Sequence, residues 1–283
     1  MRGLGTVVAI SLLISVVFFP AVTTAGAKVE QWFGEAFHSE DPDLKKDFYR
    51  KISSQEPNSA YGHFAKGWLA EIDQDPKTAL QEYNAALKLK PAFSEAFYAR
   101  GMLMFNQGFI DEAGSDLLRA IDVNPKLAEA RNALGVILDR QNRFEEAVHE
   151  YQVAVALRPR FALGYYNLGV AYAHEGRNDL ALQAFQKAVE INPKLAIGYY
   201  NIGTIHYNAG DLENSIAAFS KAVEADPKMA VAHYSLAVAD DEAGRKADAI
   251  KHYQEFLDLA GDQPSDTADR AIERLRALMG SFL

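Results

Sequence analysis

The chain has 283 residues, 49% of them apolar and 24% charged, a balance that excludes a disordered or membrane-embedded bulk. Its net charge is −9 with no basic run, which argues against nucleic acid as a partner, because an acidic surface repels phosphate. Cysteine is absent, so disulfides, thiol nucleophiles, Cys-ligated metals and lipidation on cysteine are excluded.

At the N terminus, Arg2 precedes an apolar run from Val7 to Phe19, Pro20 breaks the run, and Ala25-Gly26-Ala27 supplies a small-residue cleavage signal. These are the three parts of a secretory signal. The run is shorter than the roughly 20 residues that a spanning helix needs. Residues 1–27 are therefore expected to direct export to the periplasm or outside, as a bacterial Sec-type signal cleaved after Ala27. The alternative is an uncleaved signal that tethers the protein to the membrane; no other membrane contact is expected. Residues 28–57 read as a degenerate capping repeat. Val29 to Phe37 predicts one helix, and Asp43 to Pro57 a second, with Leu44, Phe48, Tyr49 and Ile52 at helical spacing.

From residue 58 the sequence becomes periodic. Pro57, Pro91, Pro125, Pro159, Pro193 and Pro227 recur every 34 residues. A small residue keeps the same period at Gly67, Gly101, Gly135, Gly169, Gly203 and Ala237. So does a large one, at Tyr83, Leu117, Tyr151, Phe185, Phe219 and Tyr253. Inside each period the apolar positions recur at three and four residues, the spacing of one helix face, as at Leu182, Phe185, Ala188 and Val189. Gly108, Asn142, Gly176, Gly210 and Gly244 mark a helix stop and reversal midway through five of the units, and Gln74-Asp75-Pro76 does so in the first.

This pattern resembles the tetratricopeptide repeat. The best-fitting stretch is Ala162 to Leu195, with Tyr165, Leu168-Gly169, Tyr172, Ala181, Phe185, Ala188 and Pro193 at the fingerprint offsets. The resemblance implies an all-α fold, a right-handed α-α superhelical solenoid of helical hairpins, with six units over residues 58–261. One hairpin cannot bury its faces alone, so the ends need covers. Residues 262–283 are expected to supply a C-terminal capping helix with Ala268, Ile272, Leu275 and Met279 on its packing face.

The resemblance also implies a site. In this family the first helix of each unit lines the concave surface, where ligands bind. Carried over by position, that surface begins with Phe64, Tyr98, Asn132, Tyr166, Tyr200 and Tyr234. Trp68 and Met102 follow one helical turn later, and Phe105 and Tyr207 the turn after that. Asn167 and Asn201 could pair with the backbone of an extended peptide, since an amide both donates and accepts. Trp68, Met102 and Phe105 depart from the family pattern and read either as an apolar anchor site or as packing under the N-terminal cap. The expected partner is a protein or peptide segment, with self-association into a homo-oligomer as the rival reading. The groove positions carry no Lys or Arg, which argues against a clamp for a terminal carboxylate.

No catalytic or metal-binding set is expected. The histidines, His38, His63, His149, His174, His206, His233 and His252, form no H-E-x-x-H or other spaced ligand set. No nucleophile, base and orienting group fall together. The Asp240-Asp241-Glu242 run at a helix end is expected to be solvated. The expectation is a non-enzymatic exported scaffold without cofactor, serving envelope assembly or secretion by family analogy.

Overall fold

The computed structural model describes residues 24–39, 41–261 and 265–280. The expected export signal lies outside the described residues except for its last four, which open the first helix. Among the described residues every regular element is a helix, and none is long and apolar enough to cross a membrane. The chain forms two compact units, residues 1–89 and 90–283.

The first unit holds α1 (Thr24–His38), α2 (Pro42–Gln55), α3 (Ala60–Ile72) and α4 (Pro76–Leu89). Asp41 starts α2 by accepting from the backbone N–H groups of Asp43 and Leu44, and Ser59 starts α3 by accepting from Gly62. The buried side chains of α1 are Val29, Trp32, Phe33 and Ala36, all beyond the expected cleavage point after Ala27. Phe33 meets Tyr49 of α2, with ring centroids 6.2 Å apart, and Ile52 of α2 is buried as well. Phe64 sits at the centre of this unit, 1% exposed, with its ring centroid 4.9 Å from Phe33, 5.7 Å from Tyr49 and 5.5 Å from Tyr83. Phe64 is therefore core rather than the groove residue the sequence suggested: the aromatic residues of α1 and α2 close over it. Trp68 is half-buried and stands 4.9 Å from the Tyr49 ring, in contact with the N-terminal helices.

The second unit continues with five hairpins. These are α5 (Ser94–Asn106) with α6 (Ile110–Val123), α7 (Ala128–Arg140) with α8 (Phe144–Leu157), α9 (Ala162–His174) with α10 (Asn178–Ile191), α11 (Ala196–Asn208) with α12 (Leu212–Ala225), and α13 (Ala230–Glu242) with α14 (Lys246–Ala260). The last helix, α15 (Asp266–Gly280), packs on α14.

Three of these hairpins, α7–α8, α9–α10 and α11–α12, close on one contact, a ring laid against a glycine of the first helix. A Cβ added at Gly135 would stand 2.6 Å from the Tyr151 ring, at Gly169 2.7 Å from Phe185, and at Gly203 2.6 Å from Phe219. Burying such a ring contributes roughly 1.5–3 kcal/mol, which only the missing side chain permits. The reversal between helices needs a left-handed residue, and Gly108, Gly176, Gly210 and Gly244 take φ of 86°, 71°, 77° and 74°. Asn142 fills the same place at φ 59°. Between hairpins, Asn124, Asn192 and Asp226 each precede proline and accept from the backbone N–H two residues on, at 3.0–3.1 Å, so side chain and proline together end the helix.

The packing face of α15 differs from the expected one. Ala268, Ala271 and Leu278 are buried against Tyr253 and Phe256, Ile272 and Leu275 are half-buried, and Met279 is 51% exposed. Ala268, Ala271, Leu275 and Leu278 follow one another at three, four and three residues, so they form one helical stripe and Met279 falls beside it.

Candidate functional site

The first helices of successive hairpins in the second unit touch one another and form a shared face. Asn167 donates from Nδ2 to Asn132 Oδ1 at 3.0 Å, and His174 Nδ1 lies 3.1 Å from Asp139 Oδ1. The Arg140 guanidinium stands 4.3 Å over the Phe105 ring, and the Tyr207 hydroxyl donates to Glu242 Oε1 at 2.5 Å. Each contact joins one first helix to the next.

On α5 and α7 the polar groups of this face are engaged within the protein. Arg158 binds Glu129 at 3.0 Å, Ser94 donates to Glu95 at 2.8 Å, and Arg100 forks onto Asp116 at 2.6 and 2.7 Å. Asn132 is buried at 7% exposure, and its oxygen is taken by Asn167. Asn167, expected to meet a peptide backbone, instead meets Asn132 of the preceding first helix, 35 residues earlier. Phe105 lies beneath Arg140, while Tyr98 and Met102 are half-buried on α5.

On α9, α11 and α13 the face changes character. None of these three helices contains Lys or Arg. Leu163, Tyr166 and Val170 of α9 share one side by their spacing, as do Ile197, Tyr200 and Thr204 of α11, and Val231, Tyr234 and Val238 of α13. Leu163 is 51% exposed and Val231 44%. The tyrosines stand on rings of the second helices: Tyr166 lies 5.7 Å from Phe185, Tyr200 5.6 Å from Phe219, and Tyr234 5.1 Å from Phe256. Between α11 and α13 lies a cavity of about 170 Å³, lined by Tyr200, Thr204, Tyr207, Phe219, Tyr234 and Val238, with Ser235 at its side. Of the residues named from sequence, the structure brings Tyr200, Tyr207 and Tyr234 together here, with Tyr166 next along the face and Asn201 half-buried on α11.

Sequence reasoning missed Leu163, Ile197 and Val231. Their signal was present in the period: the same position holds Glu95 and Glu129 in the earlier hairpins, and the sign of the face changes at Leu163.

The acidic run at the end of α13 is not the solvated run expected. Asp240 is 2% exposed, since it falls in register with the buried Leu138 and Tyr172. Burial, helped by the Asp248 charge, pushes its carboxyl up to about 6. Asp241 receives Arg274 of α15 at 2.8 Å, and Glu242 receives Tyr207. That hydrogen bond, with burial adding to it, raises the Tyr207 hydroxyl to about 12.

A second register shows a similar break. His63 and Glu82 lie 2.6 Å apart, and in the hairpin of α7 and α8 the same two positions hold Arg131 and Glu150 at 2.8 Å. In α13 and α14 those positions hold His233 and His252, ring centroids 5.8 Å apart. His233 Nε2 lies 3.1 Å from the Pro227 carbonyl oxygen, and the Nδ1 atoms of both rings are buried without a partner. Burial lowers the His252 pKa. Among the described residues no group of three or more His, Cys, Asp or Glu could hold a metal ion. A larger depression of about 760 Å³ runs along the turns from Asn142 to Arg177, but its arginines are taken by acids of its own lining, Arg143 by Glu146 at 2.6 Å and Arg177 by Glu175 at 2.9 Å.

No curated protein matches the chain significantly. Among solved structures it is similar to MamA, at 27% identity over 58% of this chain and 96% of the other, with a TM-score of 0.52. It is also similar in fold to PilW, described as a widely conserved type IV pilus biogenesis factor, at 19% identity over 75% and 98% of the two chains and a TM-score of 0.66. A third is YrrB, described as a TPR protein with an unusual peptide-binding site, at 23% identity over 65% and 95% and a TM-score of 0.50. A tetratricopeptide repeat family model matches residues 98–160, 138–196 and 200–264, more than half the chain. With the 34-residue period, the paired helices and the ring-on-glycine contacts all in place, this chain belongs to the tetratricopeptide repeat family.

Proposed function

We propose that the protein is an exported, non-enzymatic scaffold that holds a segment of a partner protein on the face of α9, α11 and α13. One observation carries the reading: Leu163 and Val231 stand 51% and 44% exposed in line with a tyrosine row and an apolar cavity, on three helices with no cation to break the surface. A contiguous apolar face of this kind is disfavoured in water and marks a place where another surface docks. The tyrosines add rigid contact area at low entropy cost and hydroxyls for a partner backbone. The likeness to YrrB and PilW supports the class of function, and the N-terminal 27 residues support export.

A photo-reactive amino acid placed at Leu163 or Val231 tests the face. Irradiated native cells should give a discrete adduct from these positions and none from Leu118, which is 52% exposed on α6. Equal adducts from all three positions would remove the face from the proposal. N-terminal sequencing of the mature protein tests export: a start at Lys28 supports it, and an intact Met1 refutes cleavage.

A further inference from the structure

The charge pattern around the α11–α13 cavity narrows the partner's chemistry. The cavity has the volume of one large side chain, about 170 Å³, and its walls are rings and aliphatic carbons. Across α9, α11 and α13 the formal charges are three acids, Asp240, Asp241 and Glu242, all at the end of α13. Two of them are accounted for within the fold. Asp240 is buried, and Asp241 is neutralised by Arg274. Glu242 is exposed and accepts a hydrogen bond from the hydroxyl of Tyr207, itself a wall of the cavity. Its carboxylate therefore stands one hydrogen bond from the apolar cavity, with no cation in ion-pair range among the described residues. It also sits at a helix C-terminus, where the peptide dipoles already point their negative end, so nothing in the helix itself stabilises the charge there.

Resting on the scaffold reading above, we infer that the partner segment presents a bulky apolar side chain, Leu, Met or Phe, together with a Lys or Arg within about one helical turn of it. The apolar side chain fills the cavity between Tyr200 and Tyr234, and the cation meets Glu242 at its rim. An acidic segment is rejected at the same place, because Glu242 and the dipole end repel it. Leu163 and Val170 continue the apolar contact along α9.

The test is selection of a phage-displayed random dodecapeptide library on the full chain. Retained peptides should pair a bulky apolar residue with Lys or Arg three or four positions away. Thr204→Arg, which fills the cavity, should lower their affinity at least tenfold. Glu242→Gln keeps an oxygen for Tyr207 and removes only the charge; it should weaken binding about three- to tenfold and flatten its dependence on salt. Peptides that need the cavity but show no basic preference, or that ignore Glu242→Gln, overturn this inference and leave the scaffold reading standing. Recovery of no peptide that Thr204→Arg weakens overturns both.

Discussion

The hairpins at α5–α8 and those at α9–α14 share one backbone plan and carry opposite faces. In the earlier pair the face positions are acids and amides that close on neighbours: Glu129 on Arg158, Asn132 on Asn167, Asp139 on His174. In the later three the same register holds Leu163, Ile197 and Val231, with tyrosines behind them. The core is alike in both. Gly135 under Tyr151 and Gly169 under Phe185 are the same contact to within 0.1 Å, at 2.6 and 2.7 Å. Scaffold and face are thus written on different positions of the repeat, and the face can change without touching what holds the hairpin together.

The largest expected effect breaks what the two regions share. Gly135→Val and Gly169→Val each drive a side chain into a buried ring, and either should cost about 3 kcal/mol, read as a lower urea midpoint. Shortening the facing ring, Phe185→Leu beside Gly169→Val, should recover part of the loss. Tolerance in one region and not the other would mean that the cores differ after all. The next effect belongs to the earlier region alone. Arg100→Ala leaves Asp116, 8% exposed, without its guanidinium, and should cost about 2 kcal/mol. On α13 the corresponding pair lies at the end of the helix, where Arg274 of α15 meets Asp241.

The C-terminal hairpin sharpens the comparison through pH. The folded-state pKa of Asp240 is raised from 3.8 to about 6, so between those values the folded protein binds more protons than the unfolded one. Stability therefore falls as pH rises through that window, and the ionised carboxylate weakens the fold fully above about 6. Asp240→Asn should stabilise the protein by about 1–2 kcal/mol at pH 8 and by nothing near pH 3.5. His252 acts in the opposite direction. Its pKa is lowered by burial, with Lys251 and His233 adding to it and Asp248 and Glu255 opposing, so protonation on acidification below about 6.5 favours unfolding. Thermal melts of wild type, Asp240→Asn and His252→Phe across pH 3.5–8 separate the two: the first variant's gain shrinks towards acid, and the second removes part of the acid loss.

The repeat was legible because proline, glycine and ring all recur on one period, and each has a single physical reason to stand where it does. Tyr200, Tyr207 and Tyr234 were legible for the same reason. What the period hid were contacts set by neighbours. Phe64 has the register of a groove residue, and the burial of that position depends on Phe33 and Tyr49, which come from helices outside the repeat. Asn132 and Asn167 looked ready for a ligand because a single unit gives no sign that the next unit's amide takes the bond. Asp240 read as solvated because two further acids follow it, although its own register is that of Leu138 and Tyr172. A residue's type shows what it can bind; here only the adjoining helix showed what it had already bound.

The smallest expected effect on stability tests the comparison most directly. Leu163→Lys and Val231→Lys place a cation where the side chain already meets water, so each should change the unfolding free energy by less than about 0.5 kcal/mol. The reciprocal change, Glu129→Leu, removes the acid that Arg158 binds and should cost about 1 kcal/mol, although it makes the earlier region resemble the later one. Partner capture should follow the other order, lost in the two lysine variants and retained in Glu129→Leu, with helical circular dichroism unchanged throughout. A lysine variant that unfolds early would show that the late face is bound into the fold as the early one is. Retained capture by both lysine variants would show that the face is not where the partner sits. A stable variant that has lost its partner is the pattern expected if the repeat keeps its core and its recognition surface on separate residues.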